Sequence, residues 1–237
     1  MNEHTDHDTL LHVISSGNPE LDSRLGGGLP IGSLILVEGA SGSGKSVLSQ
    51  QILWGALQDS FRVMLFTSEN TVKSLVSQME SIDLDILDHL LLRNLRVYPI
   101  ELSHLGEHAM TLLVQAFKSE PDRDVIVVDS FTSATTHGAN DAQILGFFEE
   151  CKRLCGRGTT IILTLHTDAL ESDLLNPIRS MCDAHLKLFS DQDGQRLVKT
   201  LQVAKIRGAA SATGAIVGFE VEPGWGMRVI PISKARG

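Results

Sequence analysis

The segment Gly39-Ala40-Ser41-Gly42-Ser43-Gly44-Lys45-Ser46 carries the residue types that a polyphosphate site requires. Its glycines let the chain curl so that several backbone N–H groups point inward as anion donors. Lys45 is long enough to reach β- and γ-phosphates, and the Ser46 hydroxyl can ligate Mg²⁺. Val47 follows directly and completes the set expected to bind the nucleotide. The segment matches the pattern GxxxxGK[ST] throughout. A plain strand-to-helix turn would not need Lys45 and Ser46 together.

Further carboxylates belong to the same chemistry. Val125-Ile126-Val127-Val128-Asp129 is four apolar residues ending in an acid. At the C-terminal end of a parallel strand, Asp129 would face the crevice that holds the loop and would support the metal with Ser46. The competing reading of Asp129 is a helix N-cap. Glu69, in Phe66-Thr67-Ser68-Glu69-Asn70, also follows an apolar run. A carboxylate there can orient and deprotonate a water; the competing reading is helix capping by Ser68 or Asn70, with Glu69 near the helix dipole. Thr164 and His166, at the end of another apolar run, can sense a γ-phosphate by hydrogen bonding or simply face solvent.

These groups need a frame, and the hydrophobic pattern supplies one. Ser33 to Glu38 reads as a strand entering the loop, and Ser46 to Asp59 as the helix leaving it. Asn18 to Leu25 predicts a short helix capped by Asn18. Strands are expected at Arg62 to Thr67, Leu95 to Pro99, Val125 to Val128 and Thr159 to Leu165. Helices are expected at Thr71 to Ile82, Gly106 to Ser119 and Ala142 to Cys155. The first of these should bury Val72, Leu75, Val76, Met79 and Ile82, and the last Ile144, Leu145, Phe148, Cys151 and Cys155. Strands apolar on both faces imply a parallel sheet covered by helices on both sides. From Ala184 onward, short strands at 184–190, 196–205, 215–221 and 227–230 predict an antiparallel extension, with Asp191-Gln192-Asp193-Gly194 as a hairpin turn. The predicted class is therefore α/β: a mostly parallel sheet flanked by helices with a C-terminal antiparallel extension.

The chain has 237 residues, 42% hydrophobic and 21% charged, which suits one globular domain over 13–237 behind a flexible tail over 1–12. No apolar run is long enough for a membrane helix, and the polar, acidic start lacks signal-peptide character. The expected location is the cytoplasm. The net charge is −9 and the pI about 5.4, which lowers the expectation of nucleic-acid binding. The loops from Thr132 to Asp141 and Thr167 to Asn176 contain no Lys or Arg, which argues against a DNA-facing lining. Cys151, Cys155 and Cys182 read as small buried apolar residues.

The order of parts resembles the RecA superfamily, with its P-loop NTPase core. The segments Ile14-Ser15-Ser16-Gly17-Asn18-Pro19-Glu20-Leu21-Asp22 and Leu25-Gly26-Gly27-Gly28-Leu29-Pro30-Ile31-Gly32-Ser33 are similar to its KaiC and RadA branch. Lys205-Ile206-Arg207-Gly208 resembles the KaiC-type K-x-R-G element. More narrowly, Gly44 to Gln51, Thr67 to Leu75 and Gln78-Met79-Glu80-Ser81 look like the archaellum accessory ATP-binding proteins called FlaH.

That resemblance implies ATP with Mg²⁺ as cofactors and Lys45, Glu69 and Asp129 as the catalytic set. It implies that Lys205 and Arg207 act in trans on a neighbour's γ-phosphate; the alternative is a solvated strand face. Asn70 stands where KaiC has a second glutamate, which implies weak hydrolysis. The implied role is an ATP-binding regulatory subunit of the archaellum motor. It would form a homo-oligomer, a hexameric ring, and dock on the motor ATPase and cytoplasmic scaffold proteins, meeting the membrane only through them. A KaiC-like ATPase and autokinase acting in signalling is the alternative. No base-specific motif distinguishes adenine from guanine.

Overall fold

Strands buried on both faces need helices above and below them, and the computed structural model builds this arrangement around one large sheet. It describes residues 13–135, 139–193, 196–208 and 212–231. The tail over 1–12 and the turn residue Gly194 lie outside them.

The chain opens with a small antiparallel pair, β1 (Val13–Ile14) and β2 (Leu29–Pro30), around helix α1 (Pro19–Arg24). Asn18 caps α1 by accepting from the N–H groups of Glu20 and Leu21. Its amide nitrogen also donates to the Met227 carbonyl at 2.6 Å, tying the N-terminal segment to the last strand. Strand β3 (Leu34–Gly39), helix α2 (Lys45–Gln58) and strand β4 (Val63–Thr67) follow. Next come α3 (Val72–Glu80), α4 (Leu87–Leu91), β5 (Leu95–Pro99), a 3₁₀ segment (Leu102–His108) and α5 (Ala109–Ser119). Then β6 (Val125–Asp129), α6 (Thr132–Thr135), α7 (Asp141–Cys155), β7 (Thr160–His166) and α8 (Ser172–Met181) complete the alternating part. Strands β8 (Ala184–Asp193), β9 (Arg196–Ile206), β10 (Ile216–Glu222) and β11 (Gly226–Ile230) end it.

The nine-stranded sheet has the order β11-β10-β9-β8-β3-β7-β6-β4-β5. All pairs from β8 to β5 are parallel. Those from β8 to β11 are antiparallel. The extension therefore differs from expectation at its first strand: β8 runs parallel to β3, and only β9 reverses the chain. Residues alternate between two apolar layers. Ile35 and Val37 pack with Leu48, Ile52 and Leu75 on one face, while Leu34 and Leu36 pack with Leu113, Phe148 and Ile178 on the other.

Helix α2 is buried almost all round, from Leu48 to Leu57. The segment Ser15-Ser16-Gly17 lies across it so closely that a methyl group at Gly55 would stand 2.2 Å from the Ser15 carbonyl oxygen. Glycine inside a helix costs about 1 kcal/mol relative to alanine, and here the crossing requires it.

Other differences are local. Val72 opens α3 and is 39% exposed rather than buried, because the first turn projects past the core. Leu145 is only half-buried, while Phe147 packs inward beside Phe131. Gly106, with φ 51° and ψ −134°, delays α5 until Ala109. Cys151, Cys155 and Cys182 are buried free thiols, as expected. Burial pushes Cys155 and Cys182 up to about 12.

Candidate functional site

Strand β3 delivers the chain to the sheet's C-terminal end at Gly39, and α2 begins only six residues later. Gly44 is the N-cap of α2, with φ 102°, and no side chain caps the helix. A methyl at Gly44 would press within 3.1 Å of the Phe219 ring, so the left-handed turn and the packing both favour glycine. The first-turn N–H groups of α2 thus lack a side-chain acceptor at the positive end of a 14-residue helix. Ser43 Oγ is buried without a hydrogen-bond partner. An open cradle of donors with an orphaned hydroxyl fits a bound polyphosphate.

Lys45 is 8% exposed, and its ammonium donates to the carbonyls of Gly39 at 3.0 Å and Ala40 at 2.9 Å. The ammonium is therefore folded over the loop. Burial pushes it below its usual range, opposed by the charges of Glu69 and Asp129.

Asp129 ends β6, two strands from β3, with β7 between them. Its Oδ1 accepts from Ser46 Oγ at 3.3 Å and from Thr164 Oγ1 at 2.8 Å. The structure thus brings Lys45, Ser46 and Asp129 to one point. The N-cap alternative for Asp129 does not describe these contacts. Asp129 is 3% exposed. Burial raises its carboxyl above the usual range, and Glu69 adds to the rise; hydrogen bonds from Thr164 and Ser46 and the charge of Lys45 oppose it. An oxygen donor pair made of one hydroxyl and one carboxylate, the latter costly to leave charged, suits Mg²⁺.

Glu69 is exposed just beyond β4, on the side from which its charge acts on Lys45, Asp129 and His166. Neither Ser68 nor Asn70 caps α3: Thr71 does, accepting from Ser74 N at 3.1 Å. Instead, Thr67 Oγ1 accepts from the N–H groups of Glu69 and Asn70, which fixes the bend that presents Glu69. Thr164 is fully buried with its hydroxyl on Asp129, so it acts through that acid rather than facing solvent. His166 sits half-buried at the strand end, its ring pushed towards the neutral form by burial and by Lys45.

Lys205 and Arg207 lie elsewhere. Strand β9 runs antiparallel to β8, so both stand at the opposite end of the sheet from their own loop. Lys205 donates to the carbonyls of Arg179, Ser180 and Cys182 at the end of α8, and Arg207 pairs with Asp183 at 3.2 Å. They are not a bare strand face.

Two features escaped the sequence. Glu38, beside Gly39, is 2% exposed and receives Arg179 Nε at 2.9 Å and His185 Nε2 at 2.9 Å. Burial alone would raise its carboxyl, but His185 and Arg179 pull it down to about 2. Lys199 of β9 donates to the Gly42 carbonyl at 2.8 Å across 157 residues of sequence. No local signal announces a contact between a distant strand and a turn.

Known proteins share this chain's sequence pattern and architecture. The family model described as ATPase: KaiC matches residues 14–234. The archaeal flagellar ATP-binding protein FlaH of Sulfolobus acidocaldarius is 33% identical over 94% of this chain and 99% of its own length. FlaH of Methanocaldococcus jannaschii is 28% identical over 91% of this chain and 94% of its own. The crystal structure of flagellar accessory protein FlaH from that organism superposes with a TM-score of 0.83 at 26% identity, over 93% of this chain and 99% of that one. The fold just described is thus the RecA-like fold of KaiC-type ATPases, and the chain belongs to the FlaH branch of that family.

Proposed function

We propose that residues 13–237 form one domain that binds Mg²⁺-ATP at the loop from Gly39 to Ser46, with Val47, and that serves as an ATP-binding regulatory subunit of the archaellum motor. The observation that carries the reading is the convergence of Lys45, Ser46 and Asp129 beneath an uncapped helix N-terminus. Ser46 and Asp129 would hold Mg²⁺, which when bound neutralises phosphate charge. Lys45 would leave the Gly39 and Ala40 carbonyls for the β- and γ-phosphates. Glu69 would orient and deprotonate the attacking water, with Asn70 as its non-acidic neighbour keeping turnover slow.

The chain would assemble as a hexameric ring in which Lys205 and Arg207 face the neighbour's nucleotide. Their distance from their own loop supports a role in trans rather than in cis. ATP would favour the conformation that docks on the motor ATPase and cytoplasmic scaffold at the membrane's inner face, by making contacts that the empty form lacks. No nucleic acid is expected as partner; among the described residues, no helix is long and apolar enough to cross a membrane.

The test compares partner capture by wild type and Lys45→Ala, each with and without Mg²⁺-ATP. ATP-dependent docking by wild type alone supports the switch. Equal docking in all four cases overturns it.

A further inference from the structure

Lys199 and Phe219 face each other across β9 and β10 and form a support beneath the phosphate loop. Phe219 packs against Gly44, and Lys199 Cδ would stand 3.6 Å from a methyl placed there. The Lys199 stem therefore lies along the loop, and its ammonium reaches the Gly42 carbonyl at 2.8 Å. Leu201 and Val203, on the same face of β9, are fully buried, so this edge of the hairpin is rigidly seated in the core.

The chemistry of this contact is specific. The Gly42 carbonyl and the Ser43 N–H belong to one peptide unit, and that N–H makes only a long bond, 3.3 Å, to the Ala40 carbonyl, which a phosphate oxygen would replace. A cation on the carbonyl draws electrons toward oxygen and makes the N–H a stronger donor. Loop N–H groups of this kind cradle the α- and β-phosphates. Burial pushes the Lys199 ammonium below its usual range. Among the described side chains no carboxylate pairs with it, so an approaching polyphosphate would meet a cation that is partly desolvated and not locally neutralised.

We propose that Lys199 is a positioning residue for the phosphate loop: it pins the Gly42–Ser43 peptide, strengthens Ser43 N–H as a donor and adds same-chain positive charge that favours the diphosphate part of a nucleotide. This rests on the loop being a nucleotide site, as proposed above. It adds a second lysine, contributed by the C-terminal hairpin rather than by the motif.

The experiment measures affinity for Mg²⁺-ADP and Mg²⁺-ATP by calorimetry at low and high salt, with wild type, Lys199→Met, Lys199→Arg and Lys45→Ala, beside the ligand-free melting temperature of each. Lys199→Met should weaken both nucleotides about tenfold and flatten the salt dependence, because it removes a half-buried charge whose attraction for phosphate is still partly screened by salt. Lys199→Arg should stay within about threefold of wild type, and the ligand-free melting temperature should be unchanged. Affinity in Lys199→Met equal to wild type overturns the proposal. So does an equal loss in the Met and Arg variants with unchanged salt dependence, which would mark a packing role. If wild type itself binds neither nucleotide, the nucleotide-site reading falls first and this one with it.

Discussion

The hydroxyl of Thr164 donates to the carboxylate of Asp129 at 2.8 Å, from the strand that separates Asp129 from the phosphate loop. The central strand between the two halves of the site thus supplies the group that orients the acid. That bond and the one from Ser46 aim Oδ1 at the loop. They do not cancel the cost of burying the charge, since burial still raises the carboxyl.

A stability effect of opposite sign to the functional one follows. With a folded-state pKa above its unfolded value of 3.8, Asp129 binds its proton more readily in the folded chain. Stability therefore falls as pH rises through the folded value. At neutral pH without nucleotide, Asp129→Asn should melt no lower than wild type, while the further rise on adding Mg²⁺-ATP should vanish. Differential scanning fluorimetry with and without ligand checks both halves.

Glu69 stands in the open, with no hydrogen bond holding its carboxylate among the described residues. Glu69→Gln should leave Mg²⁺-ATP affinity within about threefold and lower any turnover by roughly 10²-fold or more, the range for losing a general base. Steady-state phosphate release beside equilibrium binding separates the two. Unchanged turnover would remove Glu69 from the chemistry.

The Glu38 cluster predicts a pH window. Its carboxyl, held at about 2 against 4.5 when free, stabilises the fold fully above 4.5 and loses that contribution as pH falls through about 2. Arg179→Ala would leave a buried carboxylate short of its partner and should cost about 3–5 kcal/mol at neutral pH. Adding Glu38→Gln to that variant should recover a large part of the loss. Urea unfolding of the two variants and wild type, from pH 7 down to pH 3, tests the coupling.

Lys205 caps the end of α8 with three carbonyl contacts. Lys205→Met should cost about 1 kcal/mol of stability through lost helix-end interactions. If the same lysine also serves a neighbour's nucleotide, the variant should lose turnover in the assembled state without losing affinity as an isolated chain. Equal turnover in the assembled variant and wild type would leave only the cap.

Much of the framework was legible because it rests on local pattern. Val125 to Val128 is a strand in any context, and Asn18-Pro19 starts a helix by its own chemistry. Phosphate-loop residues are contiguous, so Lys45 and Ser46 announce themselves. Asp129 needed the sheet order to become a partner of Ser46. The missing pieces are those with weak or distant signals. Helix α8 carries Pro177 in its interior and opens on Ser172-Asp173, so the pattern reads its first half as loop. Helix α4 is five residues long, and β1 and β2 are two each, too short for periodicity to register. The contacts of Lys199 with Gly42 and of Arg179 with Glu38 join residues 157 and 141 positions apart, which no windowed pattern can see.

The burial of α2 has a consequence for how the molecule responds to its ligand. An element wrapped by the sheet, the crossing N-terminal segment and the last strand cannot fray at one end while the remainder stays intact. Occupancy at its first turn should therefore be felt by the protein as a whole. Amide exchange along α2 should slow in step with that of the central strands β3 and β7, as a single cooperative unit, whereas the 3₁₀ segment before α5 should keep its own faster rhythm.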